Sequence, residues 1–252
     1  MVSTLVKYYC KGILFSLGTN VQYHGAKPQL EEPHVFVANH TSYLDYILVS
    51  AHKFPNAVVM ARHGGALGFL QNYGLNFLNS MTFDRANTEE RKALAARLKK
   101  HVMNPVSWPN PMILFPEGTC VNNKYAIRFQ KGAFELGVKV CPVGIKYDRY
   151  WGEPYWDTRK VNGEALYIPG HRILIRFDSQ GFLYYAFYRM TRWVTPVDVY
   201  YNPPVDPYPH EDAVEYGERV KRMIASSADL EIENFNGMAK RDLLKVLYEV
   251  KA

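Results

Sequence analysis

Cysteine is scarce in this chain: among 252 residues, thiols occur at Cys10, Cys120 and Cys141 alone. Three widely spaced cysteines give neither a metal-ligand spacing nor an even disulfide framework. They read as reduced thiols on a cytosol-facing protein. Long apolar runs are also missing. No uninterrupted stretch reaches the roughly 18–20 residues that span a bilayer. The nearest candidate, residues 182–201, is broken by Arg189, Arg192, Pro196 and Asp198. The opening MVSTLVKYYCKGILFSLG does not read as a signal peptide, because Lys7 and Lys11 interrupt its apolar core and no A-x-A site follows. Internal repeats and low-complexity segments are absent as well.

What is present favours one large folded domain over residues 1–252. Hydrophobic residues make up 48% and charged residues 21%, which suffices for a sizeable core and excludes wholesale disorder. The net charge of +6 favours anionic partners: nucleic acid, acidic lipid headgroups or phosphorylated small molecules. The basic residues are scattered instead of clustering with stacking aromatics, so nucleic acid is set aside. Residues 1–22 suit an amphipathic helix, with Lys7 and Lys11 on one face and Leu5, Val6, Ile13, Leu14 and Phe15 on the others. Such a helix lies in a membrane interface or packs on the protein's own core.

Along the chain, apolar runs alternate with helical patterns. Strands are predicted at 35–38, 56–62, 80–85, 111–115 and 138–147, and helices at 43–54, 87–102 and 211–225. In the second helix, Leu94, Leu98 and Val102 recur at four-residue steps, acidic residues open the segment and basic ones close it. This alternation argues for an α/β layer fold, followed by a helical tail over 206–252.

The segment VFVANHTSYLDYILVS (35–50) places His40 and Asp45 where a strand gives way to a helix. Inside one continuous helix the two would point about 140° apart. They meet if His40 lies in the loop and Ser42 caps the helix, with Asp45 as the third helical residue of a capping-box-like S-x-x-D. Asp45 could then fix the imidazole tautomer and leave its other nitrogen as a base. A plain cap beside a loop histidine fits the same residues. So does the N-glycosylation sequon NHT at 39–41, although a glycan beside a buried strand end is sterically awkward.

Two further segments bear on that choice. ILFPEGTC (113–120) runs from an apolar strand into a turn whose Gly118 lets backbone amides approach a ligand closely. Thr119 can bind phosphate oxygens or help set a hydroxyl, and Glu117 can orient a hydroxyl or a base. Alone, this is also an ordinary strand exit. FDR (83–85) puts Arg85 at a strand end, where it can make bidentate phosphate contacts or a surface ion pair.

Taken in order, NHTSYLD, FDR, FPEGTC and VCPVGIKYD resemble the four sequence blocks of the glycerolipid acyltransferase superfamily, from about residue 30 to 150, with weaker likeness to about residue 220. The stretch from FPEGTC to KYD, with Asn122 and Asn123 after Cys120, is most similar to eukaryotic endoplasmic-reticulum glycerol-3-phosphate acyltransferases. So are the later YWDTRK and FYRMTRWVTPVDVYYNPP. The resemblance implies a mixed central sheet flanked by helices. It implies His40 as general base, Asp45 as its orienting acid, and Arg85 as holder of the acceptor phosphate. Glu117, Gly118 and Thr119 would shape the acceptor site, and Pro142 would stand in the wall of the acyl-CoA site. Acyl-CoA is then a co-substrate, with no metal and no resident cofactor. Glycerol 3-phosphate is the acceptor, and a lysophospholipid is the alternative; a non-catalytic lipid- or CoA-binding protein is a third reading. The location implied is the cytosolic face of the endoplasmic reticulum membrane, held monotopically by residues 1–18 and exposed aromatics such as those in 182–201. Three features depart from the pattern. Tyr43 stands where many relatives have proline. Residues 161–178 look like an insertion. The short stretch before His40 reads as either a short form or a fragment of a longer protein.

Overall fold

A computed structural model of the chain describes residues 2–63, 68, 69, 78–84, 87–148, 150, 151, 154, 155, 185 and 189–234. The chain opens with helix α1 (Val2–Ser16) and strand β1 (Thr19–His24), followed by β2 (His34–Ala38), α2 (Leu44–Ala51), β3 (Ala57–Ala61) and β4 (Met81–Phe83). Then come α3 (Thr88–Val102), β5 (Met112–Leu114), the two-residue β6 (Tyr125–Ala126) and β7 (Lys139–Tyr147). β8 (Thr195–Tyr201), α4 (Ala213–Ser227) and the two-residue β9 (Glu231–Ile232) complete the described order.

Seven strands form one sheet in the order β1-β8-β7-β2-β5-β3-β4. All neighbours are parallel except β7 and β8, so the sheet is mixed, as expected. β2 sits at its centre between β5 and β7, and all five of its residues are buried. A strand covered on both faces reads as a near-continuous apolar run, as residues 35–38 do, and its two-residue period divides the core. Phe36 and Ala38 face Cys10 and Leu14 of α1 and Leu44, Leu48 and Val49 of α2. Val35 and Val37 face Leu98 and Val102 of α3 and Tyr216, Val220 and Ile224 of α4. α4 starts from a full capping box, Asp212 with Glu215. α3 starts from the Asn87 side chain, which accepts from the amides of Glu89 and Glu90.

Several expectations change. α1 ends at Ser16, and residues 19–24 are an edge strand instead of more helix. The connecting Gly18 has φ +60°, and a Cβ there would stand 2.7 Å from the Trp193 carbonyl oxygen, so only glycine fits. α1 packs on the core through Cys10 and Leu14 while exposing Leu5, Tyr8, Tyr9 and Phe15. The end of the 182–201 stretch is not a set of exposed aromatics but β8, whose alternate residues are buried between β1 and β7. Trp193, just before it, is exposed. The tail expected over 206–252 contains α4 and then β9; residues 235–252 lie outside the described residues, as does the insertion at 161–178.

A buried lysine fixes the far end of α2. Lys27 Nζ donates to the carbonyls of Val49 (2.7 Å), His52 (3.2 Å) and Phe54 (2.6 Å) and to Asn56 Oδ1 (2.7 Å). These carbonyls include ones that a helix end leaves without partners, and a cation there complements the helix dipole. Burial pulls the Lys27 pKa well below its ordinary value, while the four oxygens favour the charged form.

Candidate active site

The carboxyl end of β2 delivers His40 into a loop two residues beyond the strand. Its Nδ1 lies 2.9 Å from Asp45 Oδ2. The helix begins one residue later than the sequence suggests, at Leu44. Tyr43 occupies the cap position and makes no side-chain cap hydrogen bond. Only part of the expected capping box forms. The Asp45 carboxylate reaches back to the Ser42 amide (2.8 Å), but the Ser42 hydroxyl accepts from Leu44 N (3.1 Å) instead of from Asp45 N. The reason is that Asp45 is drawn toward the loop, where its Oδ2 also takes the Thr41 amide at 2.6 Å.

Asp45 is fully buried, and four donors converge on it: His40 Nδ1, the amides of Thr41 and Ser42, and the Tyr147 hydroxyl on Oδ1 at 2.6 Å. Such convergence compensates the desolvation of a carboxylate. Since that carboxylate only accepts, His40 carries its proton on Nδ1. The imidazole stacks on Phe115 at 4.3 Å between centroids. The His40 side chain remains 22% exposed, so the ring has a face open to a substrate. Burial disfavours the imidazolium, but the Cys120 side chain, which hydrogen-bonds with the ring, and the Asp45 carboxylate outweigh it. The His40 pKa is raised well above the usual histidine value.

Glu117 arrives from the turn after β5 and is also buried. Its Oε2 accepts from the His40 amide at 2.8 Å and its Oε1 from the Ile127 amide at 3.4 Å. Burial pushes its carboxyl pKa up to about 8 against those two amides and the His40 charge. Both oxygens are therefore engaged in bracing the loop that carries His40. Gly118 is exposed with φ +66°, and the nearest atom to an added Cβ would be Gln130 Cγ at 3.9 Å, which leaves open space above its backbone. Thr119 and Cys120 follow, half-buried. The Val121 amide donates to the His40 carbonyl at 2.8 Å, closing the two loops on each other.

The structure thus brings together His40, Asp45, Glu117, Gly118 and Thr119. Pro142 is not in this loop cluster: it lies inside the sheet, buried and in register with Val37. Arg85 lies outside the described residues.

Sequence reasoning missed three supports. Tyr147 is 102 positions from Asp45, and a tyrosine at a strand end carries no local mark of its partner. Asn39 exchanges two hydrogen bonds with the Ile145 backbone, 2.9 and 2.8 Å, and is buried, which leaves no room for a glycan. Asn123 donates to Thr41 Oγ1 (3.0 Å) and Ile145 O (2.9 Å) and accepts from Tyr147 N (2.7 Å). Asn39 and Asn123 rivet the His40 loop to β7, which in turn holds Tyr147 against Asp45. The paired asparagines after Cys120 were the available signal for this role.

Comparison with known proteins identifies a family. The family model described as Acyltransferase matches residues 20–146. The chain is 33% identical over 245 residues to glycerol-3-phosphate acyltransferase 3 of Danio rerio, covering 97% of this chain and 50% of that protein. It is 33% identical over 225 residues to glycerol-3-phosphate acyltransferase 4 of Bos taurus, covering 89% and 44%. The chain therefore spans about half the length of the curated relatives it matches. Among solved structures, the fold is similar to that of the 1-acyl-sn-glycerophosphate (LPA) acyltransferase PlsC from Thermotoga maritima. The TM-score is 0.56 at 19% identity, covering 90% of this chain and 78% of that one.

Proposed function

This chain belongs to the acyltransferase family, and from that premise we propose that it transfers a fatty acyl group from acyl-CoA to the sn-1 hydroxyl of glycerol 3-phosphate, giving lysophosphatidic acid. The observation that carries this reading is the buried Asp45 aligning His40 while one face of the imidazole stays accessible. The glycerol-3-phosphate acyltransferases among its relatives support the choice of acceptor.

With Nδ1–H held by Asp45, the acceptor hydroxyl displaces the Cys120 side chain from the ring and gives its proton to Nε2 of the neutral imidazole. The oxygen attacks the thioester carbonyl carbon, and the carbon–sulfur bond breaks as the tetrahedral adduct collapses. The CoA thiolate leaves with the proton returned from the imidazolium. A positioned base contributes about 10²–10⁴ in rate; alignment of the two substrates and charge stabilisation contribute the remainder. Glu117 acts here as a positioning residue, through the His40 amide. The open backbone around Gly118 and the neighbouring Thr119 hydroxyl form the floor against which the acceptor is set, and Arg85 holds its phosphate. Acyl-CoA serves as co-substrate, and these steps call for no resident cofactor.

Both substrates and the product's destination are lipidic or anionic, which suits a basic protein on a membrane surface. We place the chain on the cytosolic face of the endoplasmic reticulum. α1 supports surface attachment: it turns Leu5, Tyr8, Tyr9 and Phe15 outward beside Lys7 and Lys11. Among the described residues, no helix is long and apolar enough to cross a membrane.

The test is an acceptor swap. Purified full-length protein is given radiolabelled acyl-CoA with glycerol 3-phosphate or with lysophosphatidate. Faster acylation of glycerol 3-phosphate is expected. Preference for lysophosphatidate would move the assignment to a lysophospholipid acyltransferase.

A further inference from the structure

β8 runs antiparallel to β7, so it begins where β7 ends, at the end of the sheet that carries His40. β1 begins beside it, with Thr19 in register with Thr195. Three separate segments therefore pass the carboxyl ends of the central strands: the last turn of α1, the residues after β7 and those before β8. Each carries an exposed aromatic ring. Phe15 is 88% exposed, Tyr150 87% and Trp193 96%. Trp151, also exposed, meets Tyr150 in a T-shaped pair with centroids 5.4 Å apart. Exposed Phe69 follows Gly68, which packs on the His63 carbonyl two residues beyond β3. At the opposite end, beyond the bridge of Val140 with Val205, the exposed aromatic ring among the described residues is Tyr208.

Backbone contacts hold these segments together. The Gly18 amide donates to the Phe15 carbonyl at 3.1 Å, and the Gly18 carbonyl accepts from the Thr195 amide at 2.9 Å. The Asp148 amide donates to the Pro196 carbonyl at 3.1 Å, so the chain leaves β7 beside the start of β8. Cations accompany the rings: Lys11, one helical turn before Phe15, and Arg192, next to Trp193, are both exposed. The carboxylate of Asp148 turns back to accept the Tyr150 amide at 2.8 Å. Clustered exposed rings mark an interaction surface. The core of a protein–protein interface is depleted of lysine, whereas a headgroup layer takes tryptophan, tyrosine and cations side by side.

We infer that the membrane contact is not α1 alone: the carboxyl end of the sheet faces an anionic bilayer, with Phe15, Trp151 and Trp193 in the headgroup layer and Lys11 and Arg192 against lipid phosphates. This rests on the membrane-surface reading above and adds which end of the molecule the membrane takes. The loops before β8 and after β7 then act with α1 as one contact, on the side of the sheet where His40 works. An acyl chain can reach that side without leaving the bilayer.

The test mixes the purified full chain with vesicles of phosphatidylcholine alone or with phosphatidylserine, and measures co-sedimentation. Binding is expected to the mixed vesicles and to weaken with added salt. Trp193→Ser should weaken it about tenfold, and Arg192→Gln about fivefold. With lipid brominated on its acyl chains, Trp193→Ser should remove much of the quenched tryptophan emission. Val106→Trp, at the exposed amino end, should add emission that bromine does not quench and leave binding unchanged. Transfer from soluble butyryl-CoA to glycerol 3-phosphate without vesicles should be the same in Trp193→Ser as in wild type. Equal binding to both vesicle types, indifference to Trp193→Ser, equal quenching of the emission added by Val106→Trp, or a Trp193-dependent dimer formed without lipid would each overturn the inference while that transfer persists. Loss of transfer from wild type, with vesicle binding intact, would instead overturn the acyl-transfer reading.

Discussion

The two ends of the parallel strands use the same residue type to opposite effect. At the carboxyl end, His40 faces a buried carboxylate on which four donors converge, and its pKa is raised. At the amino end, His34 and His101 are buried against backbone carbonyls and apolar walls, and their pKa values are lowered. Burial pushes all three rings toward neutrality; the Cys120 side chain and the Asp45 carboxylate reverse the outcome at one of them. An imidazole with a buried acid can store a proton during a reaction, whereas one facing a carbonyl only accepts or donates a hydrogen bond. The fold thus confines proton-transfer chemistry to the carboxyl end of the strands.

Removing the acid should erase the distinction. Asp45→Asn is expected to lower kcat/KM by about a hundredfold or more, the range for loss of an effective base. It should also move the acid limb of the pH profile. His40 must be deprotonated to act, so wild-type activity rises with pH through its raised pKa, and the limb should shift to lower pH in the variant. An unmoved limb would detach Asp45 from the titration of His40.

Tyr147→Phe removes one of the four donors and keeps the ring. A hydrogen bond to a charged group contributes about 1.5–3 kcal/mol, so a loss of that size is expected in urea unfolding, with kcat reduced and KM little changed. Equal stability would mean that the hydroxyl does not support the carboxylate. No comparable buried donor set exists among the described residues around His34.

The contribution of Glu117 has a defined sign. Its carboxyl pKa is about 8 in the folded protein against an ordinary 4.5. The folded state therefore holds a proton that the unfolded state releases, and this contribution to stability falls as pH rises from 4.5 to 8. Glu117→Gln should flatten the stability–pH curve in that window and match wild type most closely at its acid end. Parallel curves would show that burial does not control the group.

Most of the fold that positions His40 was legible because its signals are local. The apolar run 35–38, the charge gradient and four-residue apolar repeat of α3, and the turn glycine Gly118 each act within a few residues. Within the seven-stranded sheet, two strands escaped notice. β1 and β8 find each other across more than 170 residues, and the alternation of β8 is masked by the aromatic residues before it. The His40–Asp45 pair could be read from spacing alone, but its supports could not. Tyr147, Asn39 and Asn123 acquire their roles only when β7 is laid beside β2. The hydrogen bond between Cys120 and His40 was likewise hidden, because nothing in FPEGTC says which way the thiol turns. Tyr43 in place of proline reads differently with the structure in hand: it occupies the helix cap position without capping, leaving that task to Ser42 and Asp45.

The smallest effect is expected at the amino end. His34→Leu removes one carbonyl hydrogen bond together with one unmatched nitrogen, so the two changes nearly cancel and stability should stay within about 1 kcal/mol of wild type. Acyl transfer should be unchanged. A loss of activity as large as that from Asp45→Asn would abolish the contrast between the two ends.

The most direct measurement is CoA release from acyl-CoA by purified full-length protein, with and without glycerol 3-phosphate, for wild type and for His40→Ala shown to be folded by circular dichroism. Release that depends on glycerol 3-phosphate in wild type and falls by about 10²–10⁴ in the variant is expected. Release at the wild-type rate from His40→Ala would contradict the assignment of His40 as the base.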